Sequence, residues 1–350
     1  MPTLYDPIRL GDIDLPNRII MAPMTRSRAD ADGVPLPFVK DYYAQRASAG
    51  LIVTEAIYVS RMAKGYVRTP GLVTDQQVMG WMQVTQAVHD AGGKIFAQLY
   101  HTGRVALPDF LPMRALPVAP SAIAIEGQNK TDDGPKDFVV PRALETDEIP
   151  GVASEFVNAA EMALAAGFDG VEIHAASGYL IHQFLDAAIN QRKDIYGGSV
   201  QNRARFLLLV VDRVRDAIGD GKVGLKLSPR IKFNGVTEPD AEEMYPFLAK
   251  ELSARNLAYL HGAKQGGYEI HSEMRPLYKG NYVAGAGFTA ESGNAALASG
   301  AADAIVFGKP FLANPDLPRR MREGLELAEA DPKTIYWGGE QGYSDYPALP

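Results

Sequence analysis

Short apolar segments alternate with helical patterns along most of the chain, from Arg18 almost to its end. The apolar segments are rich in Val, Ile, Leu and Phe without strict polar alternation, which is typical of strands buried on both faces. They are residues 18–23, 51–56, 94–100, 168–175, 222–229, 257–264, 281–288 and 302–310. Residues 75–92 and 201–218 carry apolar side chains at helical spacing, and Asp75 is the predicted N-cap of the first of these helices.

Eight such strands, each followed by a helix, predict an α/β chain folded as a single (β/α)₈ TIM barrel domain over residues 1–350. An open doubly wound sheet is the alternative, but no dinucleotide-binding glycine fingerprint follows the first strand. Residues 5–17 predict a hairpin that plugs the N-terminal mouth of the barrel. Residues 101–150, after the third strand, are too long for an ordinary loop and predict a lid insertion.

Composition and charge exclude several classes of function. With a formal net charge of −7 the chain is not expected to bind nucleic acid or an anionic membrane. It has no cysteine, so disulfides, thiolate nucleophiles and cysteine-ligated metals are excluded. The histidine spacing matches no metal-ligand motif, and no metal is predicted. No signal peptide and no apolar run of about 20 residues occur, and a cytoplasmic location is expected.

The most informative motif follows the fourth apolar segment. His174 comes at the end of that strand, Ser177 follows three residues later, and Tyr179 two residues after that. Barrel enzymes carry their chemistry at the C-terminal ends of the strands. Two hydrogen-bond donors followed by a phenol can hold a carbonyl oxygen and supply a proton. The motif therefore predicts an active site for a carbonyl-containing substrate, although each residue alone fits a structural role.

Other strand ends add polar or small residues to the same rim. Thr25 and Gln98 offer hydrogen bonds, Lys226 a positive charge, and Ala56 room for a planar group. The last two strands are followed by Gly287 and by the pair Gly308-Lys309, at the usual place for a phosphate site in a barrel. Together these residues predict a site for a flat polar ring bearing a phosphate. A helix cap, a core amide and a structural ion pair are the simpler readings of Thr25, Gln98 and Lys226.

Several long motifs occur in an order that resembles the old yellow enzyme family of FMN-dependent ene reductases. They are residues 17–29 (NRIIMAPMTRSRA), 42–56, 97–104 (AQLYHTGR), 166–185 (AGFDGVEIHAASGYLIHQFL), 190–206, 307–320 (FGKPFLANPDLPRR) and 342–347. The resemblance covers nearly the whole chain. It implies non-covalent FMN, NADPH or NADH as hydride donor, and reduction of activated C=C bonds in α,β-unsaturated carbonyl or nitro compounds.

The resemblance also implies residue roles. Tyr179 is expected to be the proton donor, and His174 with Ser177 to bind the activating carbonyl of the substrate. The residues expected to bind the cofactor are Pro23, Met24, Thr25, Ala56, Gln98, His174, Lys226, Gly287, Gly308 and Lys309. Those expected to line the substrate pocket are Tyr66, Tyr100, His174, Ser177 and Tyr336.

This chain departs from the family pattern at four positions. Ser177 stands where Asn or His is usual, Lys226 and Lys309 where Arg is usual, and Tyr100 where Trp is common. The lysines keep the positive charge but lack the planar guanidinium of arginine, which can donate two parallel hydrogen bonds. The serine is shorter than asparagine, which predicts weaker stabilisation of the carbonyl oxygen or access for bulkier substrates.

Two other functions remain open from the residues. One is a flavin-binding barrel with impaired turnover, marked by Ser177. The other is a barrel aldolase with Lys226 as its Schiff-base lysine. For the ene reductase, the expected partners are a small enone-type substrate and the nicotinamide donor, with the chain a monomer or a homodimer.

Overall fold

The computed structural model describes residues 1–349. The strands are β1 (Ile8–Leu10), β2 (Ile13–Leu15), β3 (Ile19–Met21), β4 (Leu51–Tyr58), β5 (Ile95–Tyr100), β6 (Val118–Ala119), β7 (Gln128–Thr131), β8 (Gly134–Asp137), β9 (Arg142–Ala143), β10 (Gly170–His174), β11 (Val223–Leu227), β12 (Tyr259–Ala263), β13 (Tyr282–Gly285) and β14 (Ala304–Phe307).

The helices lie mostly between the strands and outside them. They are α1 (Val39–Ala44), α2 (Asp75–Asp90), α3 (Ile149–Ala165), α4 (Leu180–Leu185), α5 (Val200–Ile218), α6 (Ala241–Ser253), α7 (Ile270–Met274), α8 (Ala290–Ala298), α9 (Lys309–Ala313) and α10 (Leu317–Glu323).

Eight parallel strands close into a barrel in the order β3, β4, β5, β10, β11, β12, β13 and β14, with β14 pairing back to β3. This confirms the predicted TIM barrel. All eight residues of β4 are buried, as are all five of β10 and of β11. Such strands face the barrel interior on one side and helices on the other, which is why their sequences lack polar alternation.

The N-terminal hairpin closes the bottom of the barrel, as predicted. Strands β1 and β2 pair antiparallel, with Ile8 opposite Leu15. Leu10 and Leu15 are each 2% exposed and pack with Leu51 and Phe96 from the barrel strands. The turn at Gly11 has φ +56°, and a Cβ there would lie 2.2 Å from the carbonyl oxygen of Gly221. Glycine is therefore required where the hairpin meets the barrel.

The 101–150 segment contains three short 3₁₀ turns and the strands β6 to β9. Strands β7 and β8 form an antiparallel hairpin. Asn129 on β7 is 7% exposed, and its side-chain amide donates to the carbonyl oxygens of Gly65 and Val105. The insertion is thus fastened to the barrel rim through a buried amide.

One helix start differs from its prediction. The N-cap of α2 is Thr74, because its hydroxyl accepts a hydrogen bond from the backbone of Gln77, whose side chain in turn accepts from the Thr74 backbone. This capping box places Asp75 inside the first turn, where its charge suits the helix dipole.

Candidate active site

A cavity of about 600 Å³ opens at the C-terminal ends of the barrel strands. A second cavity of about 520 Å³ adjoins it and shares Pro23, Met24, Lys226, Gln265 and Lys309 with it. The larger cavity brings together the predicted residues Pro23, Met24, Thr25, Ala56, Tyr66, Gln98, His174, Ser177, Tyr179, Lys226, Lys309 and Tyr336. Gly287 and Gly308 line the smaller one.

Tyr100 is not among the residues that line the two cavities, and its contact with the substrate stays a prediction. It is 1% exposed at the end of β5. Its ring centroid lies 5.2 Å from that of Tyr179 in an edge-to-face contact and 6.4 Å from that of His174. Tyr100 therefore packs against the rings of His174 and Tyr179.

His174 is held as a neutral hydrogen-bond donor. Its Nδ1 accepts a hydrogen bond of 3.2 Å from the backbone N–H of Ala176, which leaves the ring proton on Nε2. Burial, and next the positive charge of Lys226, hold the pKa of His174 well below its usual value. At neutral pH the imidazole thus offers one N–H to the cavity.

Tyr179 is held as a protonated phenol. Burial, aided by Tyr66 and Tyr100, raises the pKa of Tyr179 well above its usual value. Its hydroxyl donates to the Tyr66 hydroxyl at 3.2 Å, and its ring meets that of His174 edge to face at 4.9 Å. The phenol therefore carries its proton beside the imidazole donor.

Ser177 lies between these two donors in the sequence and has a left-handed backbone conformation, with φ +59°. Its N–H donates to the Ser228 hydroxyl at 2.9 Å, and its carbonyl oxygen accepts from the Asn234 amide at 2.9 Å. Both partners come from the loop after β11. The Ser177 hydroxyl makes no hydrogen bond within residues 1–349 and lines the cavity.

The cavity wall also carries polar side chains without protein partners, which can be compared with the hydrogen-bonding groups of FMN. The side chains of Thr25, Lys226 and Lys309 make no hydrogen bond or ion pair with any described residue, yet all three line the cavity. Gly287 has φ +83° and open space where a Cβ would be. Unpaired donors in the cavity wall, together with open glycine backbone in the adjoining cavity, fit a ring with hydrogen-bonding edges and a phosphate.

Sequence reasoning missed several residues of the wall. They are Val67, Asn129, Lys130, Phe233, Gln265, Ile335 and Trp337, with Ser27 and Leu312. Most lie in loops, where no periodicity marks which side chain faces the site. The Lys130 ammonium lies 3.6 Å from the Trp337 ring centroid, so the β7–β8 hairpin contacts the C-terminal segment across the cavity mouth.

Buried arginines fasten that C-terminal segment to the loop after β3. The Arg26 guanidinium donates to the carbonyl oxygen of Ile335 at 2.9 Å, and Arg28 donates to that of Thr334 at 2.8 Å. Tyr343 stacks on Tyr42 with centroids 4.0 Å apart, and the Arg28 guanidinium lies 4.4 Å from the Tyr343 ring. These contacts hold residues 335–337 against the site.

Comparison with known proteins gives the family. A family model for the NADH:flavin oxidoreductase / NADH oxidase family matches residues 3–328. The chain belongs to this family. A probable flavin mononucleotide-dependent alkene reductase of Leishmania infantum is 41% identical over 99% of this chain and 97% of its own length.

Solved structures of family members agree in fold and sequence. Morphinone reductase in complex with tetrahydroNAD is 47% identical, with a TM-score of 0.97 over 100% of this chain and 98% of that one. The old yellow enzyme homologue from Zymomonas mobilis is 45% identical, with a TM-score of 0.97 over 99% and 100% of the two chains. The family thus confirms the predicted FMN- and nicotinamide-dependent oxidoreductase acting on activated alkenes.

Residues 1–349 also bear on two other classes of site. No helix among them is both long and apolar enough to cross a membrane. They contain no cluster of three or more His, Asp or Glu side chains that could hold a metal ion.

Proposed function

We propose that this family member reduces the C=C bond of α,β-unsaturated carbonyl or nitro compounds in the larger cavity, with Tyr179 as proton donor. The observation that supports the proposal is the pairing of two protonated groups on one wall. Neutral His174 presents an N–H and Tyr179 keeps its phenolic proton, and both face the same space. Reduction of an enone needs both groups, one to donate a hydrogen bond to the carbonyl oxygen and one to supply a proton to the α-carbon.

The residues proposed to hold FMN line the two adjoining cavities. Thr25 would bond the O4 edge of the ring, Lys226 would face N1 and O2, and the backbone near Pro23 and Met24 would face N5. Ala56, Gln98 and His174 would line the ring, while Gly287, Gly308 and Lys309 would hold the phosphate. Bound FMN supplies hydride transfer from NAD(P)H to the substrate.

The protein's own side chains then determine the orientation and protonation of the substrate. His174 donates from Nε2 to the carbonyl oxygen, and Ser177 donates from its hydroxyl, either directly or through water. Negative charge that develops on that oxygen is stabilised by both donors. Tyr179 delivers its proton to the α-carbon, and the Tyr66 hydroxyl orients the phenol.

The remaining walls of the cavity are proposed to select the substrate. Tyr66 and Tyr336 would contact it, and the 101–150 insertion would cover it as a lid through Asn129 and Lys130. A cytoplasmic location, a monomeric or homodimeric state and the absence of nucleic-acid and membrane partners stay predictions from the sequence.

Absorption spectroscopy with successive substrates tests the proposal. The purified protein should show flavin bands that bleach with NADPH under anaerobic conditions and return when cyclohexenone is added. A protein that FMN cannot reconstitute would overturn the cofactor assignment. Borohydride trapping of substrate on Lys226 would then support the aldolase alternative. Bleaching without return would instead favour impaired turnover at His174, Ser177 and Tyr179.

A further inference from the structure

Glu172 lies inside the barrel below the cavity floor, on β10 two residues before His174. Its side chain is fully buried and lines neither cavity. A carboxylate in the interior is costly unless it is hydrogen-bonded and its charge is balanced. The proposed reaction does not use this residue, so its neighbours must explain its presence.

Two neighbours occupy both oxygens of the Glu172 carboxylate. The Gln98 amide donates to Oε1 at 2.7 Å, and Nδ1 of His261 lies 3.0 Å from Oε2. Both neighbours reach the cavity floor, Gln98 in the larger cavity and His261 in the smaller. Glu172 therefore fixes which way the Gln98 amide faces and which nitrogen of His261 carries the proton.

Lys226 is the cation on the neighbouring strand β11, two residues nearer the C-terminal end of that strand than Gly224, which lies opposite Glu172. On the barrel it pairs in register with His174 of β10 and His261 of β12. Burial lowers the pKa of Lys226, and the Glu172 carboxylate raises it. Burial, and next the Lys226 charge, lower the pKa of His174. Burial lowers the pKa of His261, although the Glu172 carboxylate raises it, so both histidines are neutral at pH 7. Of the titratable groups that face Lys226 from β10 and β12, Glu172 alone is negative.

The identity of the cation makes this carboxylate important in this chain. Arginine, usual at this position in the family that the sequence resembles, keeps its charge in any protein environment. A buried lysine does not, because desolvation favours its neutral form. The charge at this wall therefore depends on a counter-charge that an arginine would not need.

We propose that Glu172 is a positioning residue that keeps Lys226 in its charged form at neutral pH and so maintains the positive charge facing the N1 and O2 edge of FMN. The inference rests on the proposed function, in which Lys226 faces that edge. Glu172 acts through Lys226, Gln98 and His261, without touching FMN or substrate.

The test compares Glu172→Gln with Glu172→Gln/Lys226→Arg, Lys226→Arg and wild type. Glutamine keeps the size of the side chain and its acceptor for Gln98, and it removes the charge. The flavin reduction potential is measured by dye equilibration from pH 6 to 9.5. At pH 6 the potential of Glu172→Gln should equal or exceed that of wild type, because a nearby negative charge is gone.

With rising pH the Glu172→Gln potential should fall relative to wild type. The fall corresponds to about tenfold weaker binding of reduced relative to oxidised FMN, as expected for the loss of one charge-assisted contact. The double variant should follow the pH dependence of wild type, since arginine does not titrate. A Glu172→Gln curve parallel to wild type, or the same fall in the double variant, would overturn the proposal.

Two further measurements keep the test independent of folding and of the proposed function. In wild-type apoprotein labelled with ¹³C-lysine, the Lys226 signal, assigned with Lys226→Arg, should show a charged amine at pH 7; a neutral amine there would refute the proposal. Lys226→Met should lower the FMN potential. If it does not, Lys226 does not face the flavin, and it is the proposed function that fails.

Discussion

Replacing Tyr179 with phenylalanine removes one hydroxyl and should slow only the reduction of the alkene. The ring stays packed, because its edge-to-face contacts with His174 at 4.9 Å and Tyr100 at 5.2 Å need no hydroxyl. Proton donation by a positioned side chain accelerates a reaction by about 10² to 10⁴-fold, or roughly 3 to 5 kcal/mol. Flavin reduction by NADPH uses no proton from Tyr179 and should change by less than about twofold.

Stopped-flow absorbance separates the two half-reactions in Tyr179→Phe. Flavin bleaching by NADPH reports the first, and the return of the flavin bands on mixing with cyclohexenone reports the second. Tyr66→Phe is the matched control: it removes the hydroxyl 3.2 Å from that of Tyr179 and leaves the acid in place. The loss of one neutral hydrogen bond, about 1 kcal/mol, predicts about a fivefold effect.

Two results would refute this reasoning about Tyr179. One is an alkene half-reaction of Tyr179→Phe within tenfold of wild type, which would mean that water or another group supplies the proton. The other is an equal slowing of both half-reactions, which would mean that the substitution disturbs the cavity as a whole.

Four other substitutions test the backbone conformation and one buried histidine. Asparagine adopts the left-handed conformation of residue 177, with φ +59°, more readily than serine, so Ser177→Asn should raise the free energy of unfolding by up to about 1 kcal/mol. It should also increase kcat/KM for cyclohexenone, and unchanged kinetics would contradict the proposed carbonyl contact. Gly11→Ala puts a Cβ 2.2 Å from a backbone oxygen and should destabilise the chain by more than about 2 kcal/mol in denaturant unfolding, whereas Gly92→Ala, at φ +79° with nothing within 4 Å, should cost only about 1 kcal/mol. Burial lowers the pKa of His101 from 6.5 to about 3, so the folded chain takes up this proton at a lower pH than the unfolded chain does. The stability that depends on the neutral imidazole is therefore present above pH 6.5 and is lost as the pH falls. At pH 5 the free energy of unfolding of wild type should fall by about 2 kcal/mol relative to that of His101→Gln, and equal pH profiles would contradict this.

The barrel and most of the cavity rim were predictable because they depend on local pattern. Each strand end is marked by an apolar run, and a TIM barrel brings all such ends to one face. His174, Lys226 and Gln98 were therefore expected together although they are far apart in the sequence. The start of the helix capped by Thr74 was predicted to within one residue, since the choice between Thr74 and Asp75 depends on a hydrogen bond to Gln77.

The remaining features depend on contacts that no local pattern encodes. Tyr100 and Gln98 lie two residues apart on β5, yet only Gln98 reaches the cavity, because the rings of Tyr179 and His174 cover Tyr100. The pairing of Glu172 with His261 depends on the register of three adjacent strands. Phe233 and Trp337 come from loops whose positions are set by long-range contacts.

The fastening of residues 335–337 to the loop after β3 has a consequence for the order of events in folding. The Arg26–Ile335 hydrogen bond joins positions 309 residues apart in the chain. Contacts of such high sequence separation form late, because the entropy of closing a long loop opposes them until most of the chain is structured. Since this contact completes the wall around the proposed flavin site, a chain in which residues 335–337 are not yet docked lacks part of the FMN site. During refolding, the quenching of free FMN fluorescence should lag behind the recovery of helical circular dichroism, so flavin capture marks the final closure of the molecule.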